Sequence, residues 1–453
     1  MERSGMLSSR FFMGLRVALG VAGAVLVAMP SHAVPSFARQ TGQECAACHI
    51  GSYGPQLTPY GTRFKIGGYT DTDGKEGKVP LSGMVVASFT HTAKKQDPAP
   101  EHASKNDNFA MDEASVFLAG RISEKLGAFV QVTYDGIAGT TALDQMDLRF
   151  AHATELQGKE LTLGLSVNNN PGVQDPFNTM PVWGFPYVGS ALGFGGAETG
   201  TLINGGLEQR VLGLSAYAFY DKNWYAELGT YRSLSTWTQW KMGLGKADDP
   251  GKLGAGSAYW RLAYMKDLKS SAWSAGLFGL NSSLQPDRTS GSASNDYNDV
   301  GVDAQYQFLG TREHVFTAQT SFIRERQKRK ALTVAGDAAH NVGHLNEFKL
   351  NASYHYQQTY GASLGYFSTT GASDSLVYAD NRRSRPNTAG MVMQLDWTPF
   401  GKEGSWGAPW ANVRLGAQYT AYSKYNGSSS NYDGSGRRAS DNDTLFLFAW
   451  TSF

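Results

Sequence analysis

Long apolar runs are what this chain of 453 residues most conspicuously lacks. After the first thirty or so residues, no window approaches the roughly 18 to 20 consecutive apolar residues that a membrane helix needs. Helical spans are therefore excluded, and any membrane crossing has to be made by β-strands. Cysteine is almost as scarce. There are only two, Cys45 and Cys48, and neither has a distant partner with which to staple a fold, so a disulfide scaffold is excluded as well. Charge of one sign is missing too: 40 Lys and Arg face 39 Asp and Glu, a formal net charge of +1. That balance gives no case for nucleic acid and little for anionic lipid.

What the chain does have is 53 glycines, 12% aromatic residues, and polar and apolar residues that intermingle without long helical periods. This composition favours many strands joined by turns. Its first 33 residues read as an export signal. Arg3, Arg10 and Arg16 form a basic leader, Val17 to Ala28 an apolar run, and Ser31, His32 and Ala33 a small-residue cleavage site. A β-rich exported protein is the starting class.

From Leu81 onward the pattern is alternation. In "LTLGLSV", Leu161, Leu163, Leu165 and Val167 share one face, and Thr162, Gly164 and Ser166 share the other. About sixteen such segments start near 81, 113, 127, 145, 160, 207, 224, 257, 271, 297, 314, 345, 360, 388, 411 and 443. Short links, such as those at Leu156 to Lys159, Asp221 to Asn223 and Gln357 to Tyr360, alternate with long polar ones near 93–112, 169–206, 236–256, 285–296, 328–344, 372–387 and 426–442. Short turns on one rim and long loops on the other predict an all-β, transmembrane outer-membrane β-barrel of about 16 antiparallel strands over residues 80–453. The competing soluble β-sandwich would bring its apolar faces together in a core and would not segregate its loops by length. The closing segment "DTLFLFAWTSF" is similar to the last strand of outer-membrane barrels, although Thr451 stands where an aromatic or apolar residue is usual.

The most explicit chemistry lies in "QTGQECAACHIG", residues 40–51. Two thiols at this spacing suit addition to the two vinyl groups of one haem, with the adjacent His49 supplying a nitrogen to the iron, so C-x-x-C-H reads as c-type attachment. A thioredoxin-like pair would want a βαβ context, and a zinc site would want further ligands nearby; neither is visible. The segment 34–79 is too small to bury a haem by itself. A sixteen-strand barrel leaves a wide polar lumen, so the economical arrangement is a haem segment that plugs the lumen and borrows its walls.

"VPSFARQTGQECAACH", followed by "GPQLTPYGTRFKIGGYT", resembles the N-terminal module of the fused outer-membrane monohaem cytochrome-porins, best known as iron oxidases of iron-oxidising bacteria. The likeness is dense over Pro35 to Thr70, and the run Phe37, Ala38, Arg39, Gln40, Thr41 before the motif is more specific than C-x-x-C-H alone. The resemblance implies one covalent haem c on Cys45 and Cys48, with His49 as the proximal ligand. It also implies Fe(II) oxidase activity in the outer membrane of a Gram-negative bacterium: electron uptake from extracellular Fe(II) and delivery to a periplasmic c-type cytochrome, with outer-membrane lipid around the barrel.

"NNNPGVQDPFNTMPVWGFPY", Asn168 to Tyr187, is similar to a stretch in the same proteins and reads physically as a long connection that folds into the barrel. Trp183 and Phe185 are expected against the haem ring, and Met180 is a candidate distal ligand in competition with His91, His102 and His152. The alternative is a loop ordered by its own prolines. Arg39, Arg63 and Lys65 are candidates to pair with haem propionates, or else to line the periplasmic rim as solvated charge. His340 and His344 sit four residues apart in a loop without nearby carboxylates, which is the pattern of solvent-facing histidines. Two other functions stay open: a solute porin whose haem segment is a plug or redox gate, and outward electron transfer to an extracellular acceptor.

Overall fold

The computed structural model describes residues 35–453 except 76, 185, 247–248, 290, 403 and 408–409. The expected export signal, residues 1–33, and Phe185 lie outside the described residues. Strand β1 is Leu81–Thr92, followed by β2 Asn108–Arg121, β3 Leu126–Asp135, β4 Thr140–Leu156, β5 Lys159–Asn168, β6 Val211–Tyr220, β7 Trp224–Ser233, β8 Lys252–Leu253, β9 Ala258–Asp267, β10 Ser271–Gln285, β11 Asn295–Phe308, β12 His314–Lys328, β13 Val342–Tyr356, β14 Tyr360–Gly371, β15 Thr388–Trp397, β16 Asn412–Lys424 and β17 Thr444–Ser452. Every neighbouring pair is antiparallel, and β1 pairs with both β2 and β17, so the sheet closes on itself. The two-residue β8 only extends the end of β10, while β7 pairs directly with β9. The result is a closed barrel of 16 crossing strands, which leaves no open edge. Among the described residues, no helix is long and apolar enough to cross a membrane.

The alternation seen in the sequence points the opposite way from that of a soluble core. On β5, Leu163 and Leu165 are 44% and 48% exposed, while Ser166 is fully buried on the lumen side. The apolar face looks outward all round the barrel, as lipid requires. Towards the rim of short turns it ends in a belt of aromatics. Trp224 lies 4.6 Å from Tyr264 and Tyr264 lies 5.2 Å from Trp273; the belt continues in register through Tyr306, Phe308, Phe316 and Tyr354. That rim carries the links 122–125, 157–158, 221–223, 268–270, 309–313 and 357–359, and is periplasmic by the barrel rule. Two links depart from the expected segregation: 136–139 is short on the far rim, and 398–411 is long on the periplasmic one.

Among the described residues, three short α-helices precede the barrel, α1 Pro35–Thr41, α2 Cys45–Cys48 and α3 Pro59–Ile66, with a 3-10 turn at Ile50–Ser52. Thr58 caps α3, its hydroxyl accepting from the Gly61 amide at 3.2 Å, and Pro59 occupies the first turn. These helices lie inside the barrel, and the hydrogen bonds that hold them come from all round its circumference. The Arg121 amide of β2 donates to Gln40 (2.7 Å), Tyr69 donates to Asp147 of β4 (2.7 Å), Tyr217 of β6 to the Ile66 carbonyl (2.6 Å), Gln307 of β11 to the Leu57 carbonyl (2.7 Å), and Asn412 of β16 to the Ser52 carbonyl (2.8 Å). Most of these partners sit near the periplasmic ends of their strands. Residues 35–75 therefore fill the periplasmic half of the lumen.

The connection 169–210 folds inward above them. The wall arginines fix it by its carbonyls and carboxylates: Arg261 pairs with Asp303 (2.7 Å) and reaches Asp175 of the connection (3.3 Å), and Arg414 pairs with Asp396 while donating to the Pro186 carbonyl, both at 3.0 Å. Such buried ion pairs specify one seating of the loop, because a partner removed would leave a bare charge in a dry wall.

Candidate haem-attachment site in the lumen

Helix α2 is one turn, CAAC, and its own Ala46 and Ala47 are buried. It sets Cys45 and Cys48 one turn apart. The chain then straightens at His49 (φ −120°, ψ 140°), which forms an isolated bridge with Leu57, so the hairpin 49–57 turns the segment back towards α3. Both cysteines are free. Burial pushes the Cys45 thiol up to about 11 and the Cys48 thiol up to about 12, so both are uncharged thiols near neutral pH. Burial also pushes His49 down to about 4, so its imidazole is neutral and keeps a lone pair. Its Nδ1 has no hydrogen-bond partner among the described residues.

Among the described residues, no three His, Cys, Asp or Glu side chains converge as a metal ion held by side chains alone would need. Two uncharged thiols one turn apart followed by a neutral, unpartnered imidazole are instead the donor set that a covalently attached haem c uses. Further polar atoms are buried without partners around this segment: Gln56 Oε1, Gln307 Oε1, His355 Nδ1, Gln358 Oε1 and Trp450 Nε1. The site therefore fits a group with walls from both the plug and the barrel.

His355, on β13, is a residue that the sequence reading did not single out. Its ring packs on Gly51 so closely that an added Cβ there would fall 2.6 Å from both Cδ2 and Nε2. Strand parity offered a signal for it. Tyr354 and Tyr356 face outward with the aromatic belt, which turns the residue between them into the lumen.

The other candidates are placed as follows. Arg39 donates to the carbonyls of Val79 (3.1 Å) and Leu81 (2.6 Å) and lies beside a cavity of about 530 Å³ at the periplasmic mouth, whose lining includes Gln43, Glu44 and Trp410. Arg63 pairs with Asp267 at 2.9 Å on the rim. Lys65 is buried, with Nζ donating to the Val173 carbonyl (2.5 Å) and to Asn178 Oδ1 (2.8 Å). Trp183 stacks over that amine at 4.7 Å and donates to the Gly172 carbonyl. Met180 is buried in an apolar cluster with Ile203, Leu207, Tyr259, Phe278 and Ile323, none of which belongs to residues 35–79. His91 pairs with Asp107 at the far end of β1, His102 is exposed in the following loop, and His152 is exposed on β4. None of these three joins His49. His340 is exposed and lies 3.6 Å from Asp374, while His344 is exposed on β13.

No protein-family model matches the chain, and no curated protein does. Among solved structures it is similar to OprB of Pseudomonas putida (TM-score 0.49, 12% identity, 82% of this chain and 93% of that one). It is also similar to OmpF of Salmonella typhi (TM-score 0.46, 12% identity, 82% and 97%) and to OmpT of Vibrio cholerae (TM-score 0.42, 11% identity, 82% and 98%). The closed ladder and the outward apolar belt of this chain make it a porin-like outer-membrane barrel on their own terms.

Proposed function

We propose that this chain, which resembles the cytochrome-porins, carries one covalent haem c on residues 34–79 and moves electrons across the outer membrane. The observation that carries the reading is the seating of the Cys45–Cys48–His49 turn inside a closed barrel whose lumen is occupied by residues 35–75 and by the connection 169–210. Cys45 and Cys48 would hold the group by thioethers, and His49 would supply a nitrogen ligand. When bound, the haem supplies a one-electron carrier whose potential depends on its ligands and surroundings. The chain's own part is to bury that carrier. The plug closes one side, the wall residues Gln307, His355 and Trp450 line another, and the 169–210 connection covers the extracellular approach.

Under this reading the donor is extracellular Fe(II) and the acceptor a periplasmic c-type cytochrome. Iron need not enter the cell, where Fe(III) would precipitate near neutral pH. Cys45→Ala should leave the barrel folded and reduce covalently bound haem, seen on a haem-stained denaturing gel, from one equivalent to a small residue; His49→Met should keep the covalent band and shift the visible spectrum. In liposomes, external Fe(II) should reduce the whole protein without solute leakage.

A second reading is a solute porin gated by the plug. A cavity of about 770 Å³ favours it, lying in the outer half between the 169–210 connection and β12–β14, with Glu347 and Lys349 in its lining. Solute flux through the liposomes that persists whatever the haem state would decide for this reading and against electron transfer.

A further inference from the structure

Overall charge is nearly balanced at +1, but its distribution on the barrel wall is not even. Along the outward face of β12 the residues run Phe316, Ala318, Thr320, Phe322, then Arg324, Arg326 and Lys328, with the inward set between them buried. Phe322 stands opposite Phe348, and Phe348 lies 6.2 Å from Tyr366, so these rings mark the upper edge of the apolar belt. Three cations follow directly above that edge, on three successive outward positions of one strand.

Adjacent strands carry nothing comparable at this height. Across the row, Arg326 faces Asn298 of β11 on one side and His344 of β13 on the other, and Arg324 faces Val300 and Asn346. Asp296 is opposite Lys328 in register, yet none of the three cations makes an ion pair or side-chain hydrogen bond among the described residues. Three cations side by side on a wall repel one another, and of these pairings across the row only that of Lys328 with Asp296 offers an opposite charge. Their depth, one step outside the aromatic edge, is that of the polar headgroups of the outer leaflet.

We propose that Arg324, Arg326 and Lys328 form a binding site for the phosphorylated headgroup of an outer-leaflet glycolipid. Its acyl chains lie on the apolar surface of Phe322, Val302 and Leu350 below, with Val300 beside Arg324, and its phosphates take the guanidinium forks and the ammonium above. Charge complementarity and continuity with the acyl-facing belt select this occupant over a soluble anion, which would gain nothing from the apolar floor.

The test uses the whole chain in neutral detergent, titrated with bisphosphorylated lipid A or with phosphatidylcholine, and bound lipid is counted by native mass spectrometry. Lipid A should bind, phosphatidylcholine should not, and affinity should fall with salt. Removing charge should weaken binding about fivefold per cation, on the order of a hundredfold for R324Q/R326Q/K328Q. Lys266→Gln with Lys269→Gln, on the periplasmic rim, should leave it unchanged. The triple variant keeps the barrel intact if its heat-modifiable gel mobility matches wild type; R326Q alone serves if it does not. Equal lipid A retention by wild type and the charge-removed variant would overturn the proposal. So would an equal loss in the rim variant, or full displacement by millimolar inorganic phosphate.

Discussion

Gly51 shows how a single residue couples the lumen-filling N-terminal segment to the barrel. Its φ of +67° lies in the left-handed region, and its Cα faces the His355 ring with no room for a methyl. Gly51→Ala therefore meets two costs at once, the backbone conformation and the overlap, together about 2–4 kcal/mol. The expected result is a plug that is nicked by protease under conditions where the wild type resists. Because only the overlap depends on His355, Gly51→Ala should be milder in a His355→Ala background, and a double-mutant cycle on plug stability should show coupling. Additive effects would mean that the ring does not rest there. At this scale the sequence singles out Cys45, Cys48 and His49 as a candidate site, since C-x-x-C-H is a motif of fixed local spacing. It did not reveal His355, because a lone histidine on a strand carries no motif; its partner, Gly51, lies 304 positions away in the chain, and only closure of the barrel brings the two together.

Helix α3 and the 169–210 connection meet through Lys65, and this contact makes their docking depend on pH. Burial, together with repulsion from Arg149, pushes the Lys65 ammonium down to about 7, although the Trp183 face favours the charge. The docked value lies below the free value of 10.5. Docked Lys65 releases its proton near pH 7, while undocked Lys65 keeps it until about 10.5, so docking should strengthen as pH rises through that window and level off beyond it. The gain is on the order of 5 kcal/mol across that window, readable as slower exchange of the α3 amides after correction for intrinsic rates, and Lys65→Met should flatten the dependence. Elements were otherwise the most legible level of this chain. Strands expected near 81, 224, 271, 314, 360 and 388 begin at those residues, because alternation against lipid is a local property. The long periplasmic link 398–411 is not legible in the sequence, and its length has a tertiary cause: the Gly401 carbonyl accepts from Ser52 (2.6 Å), and the Gly404 amide donates to Glu44 (3.0 Å). It is shaped by the plug it holds, which no periodicity records.

For the molecule as a whole, the decisive question is what the lumen passes. A barrel of 16 strands is wide enough for an aqueous channel, and the apolar face turned to lipid leaves its polar face inward to line one. Here that space holds residues 35–75 below and the 169–210 connection above, joined where Asn178 donates to the Pro55 carbonyl at 2.7 Å. Two barriers in series should make the intact protein a poor conductor, and removing one should not be enough to open it fully. In planar bilayers the whole chain should conduct at least about tenfold less than an unobstructed barrel of this size, since conduction scales with the open cross-section. A variant lacking residues 35–79 should gain conductance only in part, because the wall arginines Arg261 and Arg414 still hold the connection across the lumen. Adding Arg261→Gln to that deletion should open the channel further by freeing Asp175. Full porin conductance in the unmodified chain would mean that the plug does not stay seated, and would leave the outer-half cavity as a route for solute instead of a cover for an electron carrier.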